Sequence, residues 1–232
     1  MAAVDQTIQL AVFDVAGTTA KDDGLVVEAF VTAAVAMGVS RDTPEMRYMI
    51  DYVNATMGQR KIDVFLHLFD QNLTKAELAH DHFVSAYQSL TLAGHLEEFD
   101  GVSDLFDELH ERGIGVAITT GFPREILDPI IDALGWRESI DISVAASEVA
   151  AGRPAPDMIL RSLEMYNLLT HGNYTVKNVV VLGDTISDMQ SGIAAGAQLI
   201  MGIDSGTHSP EALFDAGATH VLESVTQLLT YL

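Results

Sequence analysis

Cysteine is absent from the 232 residues, which excludes disulfides, thiolate metal sites and cysteine nucleophiles at once. Positive charge is also scarce: 12 lysines and arginines stand against 33 aspartates and glutamates, a formal net charge of −21. Such a surface repels nucleic acid and anionic membranes. It repels phosphorylated substrates too, so any anion site must draw local positive potential from a cation, an arginine or a helix N-terminus. Long apolar runs are missing, none approaching the roughly 18 residues that span a bilayer. The opening MAAVDQTIQ has no basic region followed by an apolar one. A cytoplasmic protein without nucleic-acid or membrane partners is the expectation. No internal repeat or low-complexity tract is present.

What the chain does have is apolar content, 48% of its residues, enough to bury a substantial core in one large domain or in a core carrying an insertion. Leu10 to Phe13 reads as a short buried strand that ends at Asp14, with Gly17 forcing a turn. The pattern then becomes helical, with helices expected over Leu25–Met37, Pro44–Tyr52, Lys61–Phe69 and Ala76–Leu90, the last capped by Asn72 or Thr74. From Gly101 onward helices and strands alternate. Helices Val102–Arg112, Arg124–Leu134, Asp157–Tyr166, Ser187–Ala195 and Val225–Leu232 interleave with strands Val116–Thr119, Ile142–Ala145, Val179–Leu182, Gln198–Met201 and His220–Leu222, with a short helix led in by Ser209-Pro210. This alternation implies a doubly wound, Rossmann-like α/β core with a parallel sheet and right-handed crossovers. The simplest division is a core of residues 1–21 and 96–232 with a helical cap, 22–95, inserted after the first strand.

In an open parallel sheet, ligands gather at the carboxyl ends of the strands. Four stretches fall there: Asp14 with Gly17 and Thr18; Thr119-Thr120-Gly121; Gly152-Arg153-Pro154-Ala155-Pro156-Asp157; and Gly183-Asp184-Thr185-Ile186-Ser187-Asp188. Taken singly, each is an ordinary loop, turn or helix cap. Together they supply what phosphoryl transfer needs, namely positioning, charge neutralisation and an in-line nucleophile. Asp14 is the candidate nucleophile, forming an aspartyl phosphate. An all-oxygen magnesium site is expected from Asp14, the carbonyl of Ala16, Asp184 and waters. Thr18, Thr120, the Gly121 amide and Arg153 are the expected phosphoryl clamp, with Thr185 and Asp188 supporting them from behind.

In joint order and spacing these motifs resemble the haloacid dehalogenase superfamily of aspartate-nucleophile hydrolases, over essentially the whole chain. Most phosphatases of that superfamily carry a general acid two residues after the nucleophile, where this chain has Ala16, and a lysine in the third motif, where it has Arg153. Both departures resemble the phosphonoacetaldehyde hydrolase (phosphonatase) branch, as does Met57-Gly58-Gln59-Arg60-Lys61, which is similar to that branch's Met-Gly-x-x-Lys cap motif. The resemblance implies a Schiff base between Lys61 and an aldehyde, contacts from Met57 and Gly58, cleavage of a C–P bond, and a homodimer formed through the cap. An ordinary lysine near pKa ~10.4 is almost fully protonated at pH 7, so Lys61 needs burial or a neighbouring cation such as Arg60, magnesium or Arg153. Lys21, in the flap near Asp14, is the competing amine, read as solvated. The match weakens at Val64, where the branch has a histidine, and at Phe122, where it has a tyrosine. The scattered histidines, His80 and His82 among them, read as structural or surface groups. Two alternatives stay open: a hydrolase of a small phosphate ester, and a silent phospho-ligand binder on the same fold.

Overall fold

The computed structural model describes residues 7–91, 96–204 and 206–232. The N-terminal six residues and the end of the expected cap, 92–95, lie outside them. Six parallel strands, β1 (Leu10–Phe13), β2 (Gly115–Thr120), β3 (Ile142–Ala145), β4 (Val179–Gly183), β5 (Leu199–Ile203) and β6 (His220–Leu222), form one sheet in the order β3-β2-β1-β4-β5-β6. Every residue of β1, β2 and β4 is buried, as expected of a parallel sheet covered on both faces. β1 pairs with β2 through Phe13↔Ile118 and with β4 through Phe13↔Leu182. The strand order reverses beside β1, which puts the switch-point crevice at Asp14.

Side-chain alternation divides the core. Ala11, Phe13, Val116, Ile118, Val180 and Leu182 belong to one apolar cluster, and Leu10, Val12, Ala117, Val179 and Val181 to the other. On the first face Phe13 meets Phe106 at 5.4 Å and Phe106 meets Trp136 at 5.5 Å between ring centroids. The same cluster continues into α1 (Leu25–Ala36), α2 (Pro44–Ala55), α3 (Lys61–Leu68) and α4 (Leu73–Leu90), which all lie between β1 and β2 in the chain. Phe122, just past β2, joins the two parts, with its ring 4.7 Å from Tyr87 and 6.3 Å from Phe83. The remaining helices are α5 (Val102–Glu111), α6 (Arg124–Ala133), α7 (Asp157–Thr170), α8 (Ile186–Ala195) and α9 (Pro210–Asp215). No helix among the described residues is long and apolar enough to cross a membrane.

The helix and strand expectations hold with informative shifts. α4 starts at Leu73 rather than Ala76, because Asn72 accepts the amide of Lys75 at 3.1 Å and caps the helix early. α7 runs on past Tyr166 to Thr170 and stops where His171 turns left-handed. β5 is displaced, spanning Leu199–Ile203 rather than Gln198–Met201, while β6 falls at His220–Leu222 as expected. The C-terminal segment is a 3-10 helix over Val225–Thr230, not an α-helix over Val225–Leu232. There Ser224 Oγ takes the amide of Thr226 and tightens the first turn.

At the start of β2, a Cβ added to Gly115 would lie 2.2 Å from Cε2 of Tyr166. Gly115→Ala is expected to destabilise the fold by about 1–3 kcal/mol through overpacking, read as a lower urea midpoint at unchanged slope. Tyr166→Leu in the same chain should recover part of the loss, and an unaltered midpoint in Gly115→Ala would contradict the packing described.

Candidate active site

Asp14 leaves the sheet still hydrogen-bonded to it, its amide donating to Leu182 O at 2.9 Å. The chain then folds back on itself, with the amides of Thr18, Thr19 and Ala20 converging on the carbonyl of Val15 at 3.2, 3.0 and 2.8 Å. Gly17 sits in this turn at φ +83°, and a Cβ there would lie 2.4 Å from Asp184 Oδ2. Only glycine lets this loop close onto the carboxylate that ends β4. Thr18 Oγ1 donates to Asp184 Oδ1 at 3.1 Å, and Thr19 Oγ1 donates to Asp14 O at 2.9 Å.

After β4 the first turn of α8 is capped reciprocally. Thr185 Oγ1 accepts the amide of Asp188 at 3.2 Å, and Asp188 Oδ2 accepts both the amide of Thr185 at 3.1 Å and its hydroxyl at 2.5 Å. The other oxygen of Asp188 faces Arg153 Nε at 2.8 Å. Arg153, buried, pairs through Nη1 with Asp14 Oδ1 and donates through Nη2 to Thr119 Oγ1 at 2.5 Å and Thr119 O at 3.2 Å. Asp184 Oδ2 accepts the amide of Thr207 at 3.0 Å.

One guanidinium therefore serves a cluster of three buried carboxylates, Asp14, Asp184 and Asp188, with ligand atoms within 4.8 Å of one another. Burial raises the proton affinity of Asp14, against the pull of Arg153 and with the repulsion of Asp188; burial, Asp14 and Asp188 all raise that of Asp184. Acids held above their ordinary range by burial, and by their mutual repulsion, fit a bound hard cation, which would offset that cost. Asp188 Oδ2 is held by the amide and hydroxyl of Thr185, while its Oδ1 is ion-paired with Arg153 but accepts no hydrogen bond; Asp14 and Asp184 are the ligands the sequence points to.

Lys61 is the first residue of α3 and is only 6% exposed. Its amide donates to Gly121 O at 3.4 Å, and its Nζ lies 3.4 Å from Gln59 O and 5.4 Å from the centroid of Phe122. Burial lowers its pKa to about 8, with Asp14 and Asp22 opposing the shift and Arg153 adding to it. Arg60, considered from sequence as a neighbouring cation, turns instead to Asp63 and the carbonyl of Ala150.

A cavity of about 20 Å³, room for about one water, is lined by Asp14, Ala16, Val26, Met57, Gly58, Lys61, Thr120, Gly121, Phe122 and Thr185. It brings together most of the residues singled out from sequence. Arg153, Asp184 and Asp188 are grouped around Asp14 outside that lining, and Thr18 is turned to Asp184. Lys21 lies elsewhere, paired with Glu97 at 3.1 Å. Val64 is buried in α3 and Phe122 beside Tyr87. Thr119, named in the second stretch but given no role there, grips Arg153, and Thr207, which holds Asp184, was not singled out from sequence. Thr119 is signalled only by its place beside Thr120 at a strand end, and Thr207 by a Gly-Thr pair after β5.

A family model described as haloacid dehalogenase-like hydrolase matches residues 8–196. Phosphonoacetaldehyde hydrolase from Bacillus cereus strain B4264 is 32% identical over 200 residues, which cover 82% of this chain and 73% of the relative. Among solved structures, a hydrolase from Pseudomonas syringae superposes with TM-score 0.80 at 22% identity, over 96% of this chain and 97% of the other. A phosphonoacetaldehyde hydrolase-like protein from Oleispira antarctica does so with TM-score 0.79 at 21% identity, over 97% and 91%. At those identities the two structures speak for the fold alone. The family match and the curated relative go further: this chain belongs to the haloacid dehalogenase-like hydrolases, and within them it is similar to the phosphonoacetaldehyde hydrolases.

Proposed function

We propose that the protein is a magnesium-dependent hydrolase that cleaves the C–P bond of phosphonoacetaldehyde or a related 2-oxoalkylphosphonate, with residues 22–95 acting as a lid over the core. The observation that carries this reading is the buried amine of Lys61 lining the same small cavity as the carboxylate of Asp14. Similarity to the Bacillus cereus phosphonoacetaldehyde hydrolase supports it.

The neutral Nζ of Lys61 adds to the substrate carbonyl, and the carbinolamine takes up a proton and loses water, leaving an iminium on Lys61. An Asp14 carboxylate oxygen then attacks phosphorus in line. The electron pair of the broken C–P bond moves into an enamine on Lys61, so no oxygen leaving group needs a proton and Ala16 in place of an acid costs nothing. Arg153 pulls Asp14 toward its ionised form against the burial that favours the acid and, with Thr120 and the Gly121 amide, receives the phosphoryl oxygens. Protonation of the enamine carbon and hydrolysis of the imine release the aldehyde, and water splits the aspartyl phosphate. Magnesium on Asp14, Asp184 and the Ala16 carbonyl would neutralise the acid cluster and draw charge from the phosphoryl oxygens.

A hydrolase of a small phosphate ester is the second reading, favoured by Val64, which puts a buried aliphatic group one turn from Lys61. Borohydride added with phosphonoacetaldehyde separates the two. The first reading expects a reduced adduct on Lys61, lost in Lys61→Arg along with at least about 10³-fold of the turnover. The second expects no adduct, and phosphate release from p-nitrophenyl phosphate undiminished in Lys61→Arg.

The pH dependence of trapping has a definite sign. The amine reacts only when unprotonated, and with a pKa of about 8 roughly a tenth of it is neutral at pH 7, against under roughly a thousandth for an ordinary lysine. Trapping should climb between pH 6 and 8 and level off above 9. A rate that starts to rise only near pH 10 would place Lys61 in solvent.

Magnesium should also stabilise the fold, by about 2.7 kcal/mol at a hundredfold excess over Kd, read as a melting temperature several degrees higher. Asp184→Asn should abolish that gain; an equal gain in the variant would remove Asp184 from the ligand set.

A further inference from the structure

Gly58 to Lys61 touches three core loops at once. A Cβ added to Gly58 would lie 2.5 Å from Thr185 Oγ1, one added to Gly121 would lie 2.5 Å from Gln59 O, and one added to Gly152 would lie 2.7 Å from Arg60 Cβ. Glycine at each contact lets main chain approach main chain, or main chain approach side chain, with nothing in between. Across this seam Arg60 is tied to the core through its side chain. Its Nε and Nη2 donate to the two oxygens of Asp63 at 2.7 and 3.0 Å, and its Nη1 donates to Ala150 O at 3.3 Å.

The fork on Asp63, three residues along the same helix, fixes the plane of the guanidinium and aims its remaining nitrogen. The acceptor belongs to the loop that carries Arg153 three residues further on. That loop is itself held, Ala151 N donating to Asp157 Oδ2 at 3.0 Å and Ala155 N to Gly152 O at 3.1 Å. Arg60 does not line the small cavity, so it acts through its neighbours.

We propose that Arg60 is a positioning residue that latches the helix bearing the Lys61 amine to the loop bearing Arg153, setting the distance between the carbonyl end and the phosphorus end of the bound substrate. This rests on the reading of Lys61 as the imine-forming amine. The latch can release: the fork on Asp63 lies within the lid segment and survives opening, whereas the bond to Ala150 crosses the seam and breaks. A displacement of about 1 Å between reacting groups costs on the order of 10²-fold in rate, so a single seam bond has leverage on chemistry that its own strength would not suggest.

The test uses the full chain with magnesium, phosphonoacetaldehyde with borohydride as one probe and orthovanadate as the other. Arg60→Ala should slow formation of the Lys61 adduct and lower kcat by about 100-fold, while orthovanadate affinity stays within about threefold. Arg60→Lys, which keeps the charge and loses the fork, should retain most of the defect. Adding Asp63→Ala to Arg60→Ala should cost nothing further, because the two act as one unit. Adduct formation at the wild-type rate in Arg60→Ala would overturn the latch. So would a parallel loss of orthovanadate affinity, which would make Arg60 a general support of the fold. A wild-type protein that gives no adduct would sink the imine reading itself, and the latch with it.

Discussion

The structure depends on the confinement of three carboxylates around one guanidinium at the carboxyl ends of β1 and β4. Removing charges from water costs several kcal/mol per ion even after relaxation, and Arg153 offsets only part of that cost here. The surrounding loops are shaped to tolerate it. Gly17 gives the first loop room to reach Asp184, Thr185 closes a reciprocal cap with Asp188, and Thr119 takes the side of Arg153 that faces no carboxylate. A fold that concentrates unneutralised acid at its sheet edge, in a chain already at −21, has its local charge balance set up for a cation and an anionic ligand together.

Lys61 is subject to the same burial with the opposite sign. Desolvation favours the neutral form of any group, so it holds Asp14 and Asp184 toward the acid and Lys61 toward the free amine. The groups are also linked, because Asp14 is the largest influence keeping the proton on Lys61. A cation that neutralises Asp14 weakens that influence, so occupancy of the acid cluster and reactivity of the amine rise together. On the proposed reading, Phe122 and the Gly58–Lys61 seam govern the spacing of the two groups, which is why a helical lid would matter to a reaction whose nucleophile ends β1.

Much of this was legible in the sequence for identifiable reasons. Leu10 to Phe13 stands out because a central parallel strand is apolar on both faces and ends abruptly at Asp14. The Thr185–Asp188 pair stands out because a helix cap has a fixed spacing. Thr119 and Thr120 are another matter: adjacent strand residues point to opposite faces, and composition does not say which of them meets Arg153. The burial of Lys61 is a tertiary fact, created when Gly58 and Gln59 press against Thr185 and Gly121, and nothing within a few residues of a lysine encodes it. The loop at Gly206 and Thr207 that supports Asp184 was missed because a Gly-Thr pair after a strand is common in loops of every kind.

Among the residues lining the small cavity, Asp14 and Lys61 are the ionisable pair, with Ala16 and Phe122 presenting apolar groups to it and the buried Val64 lying one turn from Lys61. On the proposed reading, that restricts the order of events. Adding the amine to the carbonyl requires Lys61 to shed a proton, and loss of water from the carbinolamine takes one back; in a closed cavity holding about one water the group at hand to relay both is Asp14. A protonated Asp14 is no longer a nucleophile. Solvent relays both transfers without occupying Asp14 when the imine forms with the lid open, and closure then brings Arg60 against Ala150 and Lys61 over Asp14. The lid then commits a substrate that is already activated, and the absence of a general acid in the closed site is a consequence of chemistry in which the departing carbon takes its electrons into an enamine and asks for a proton only later.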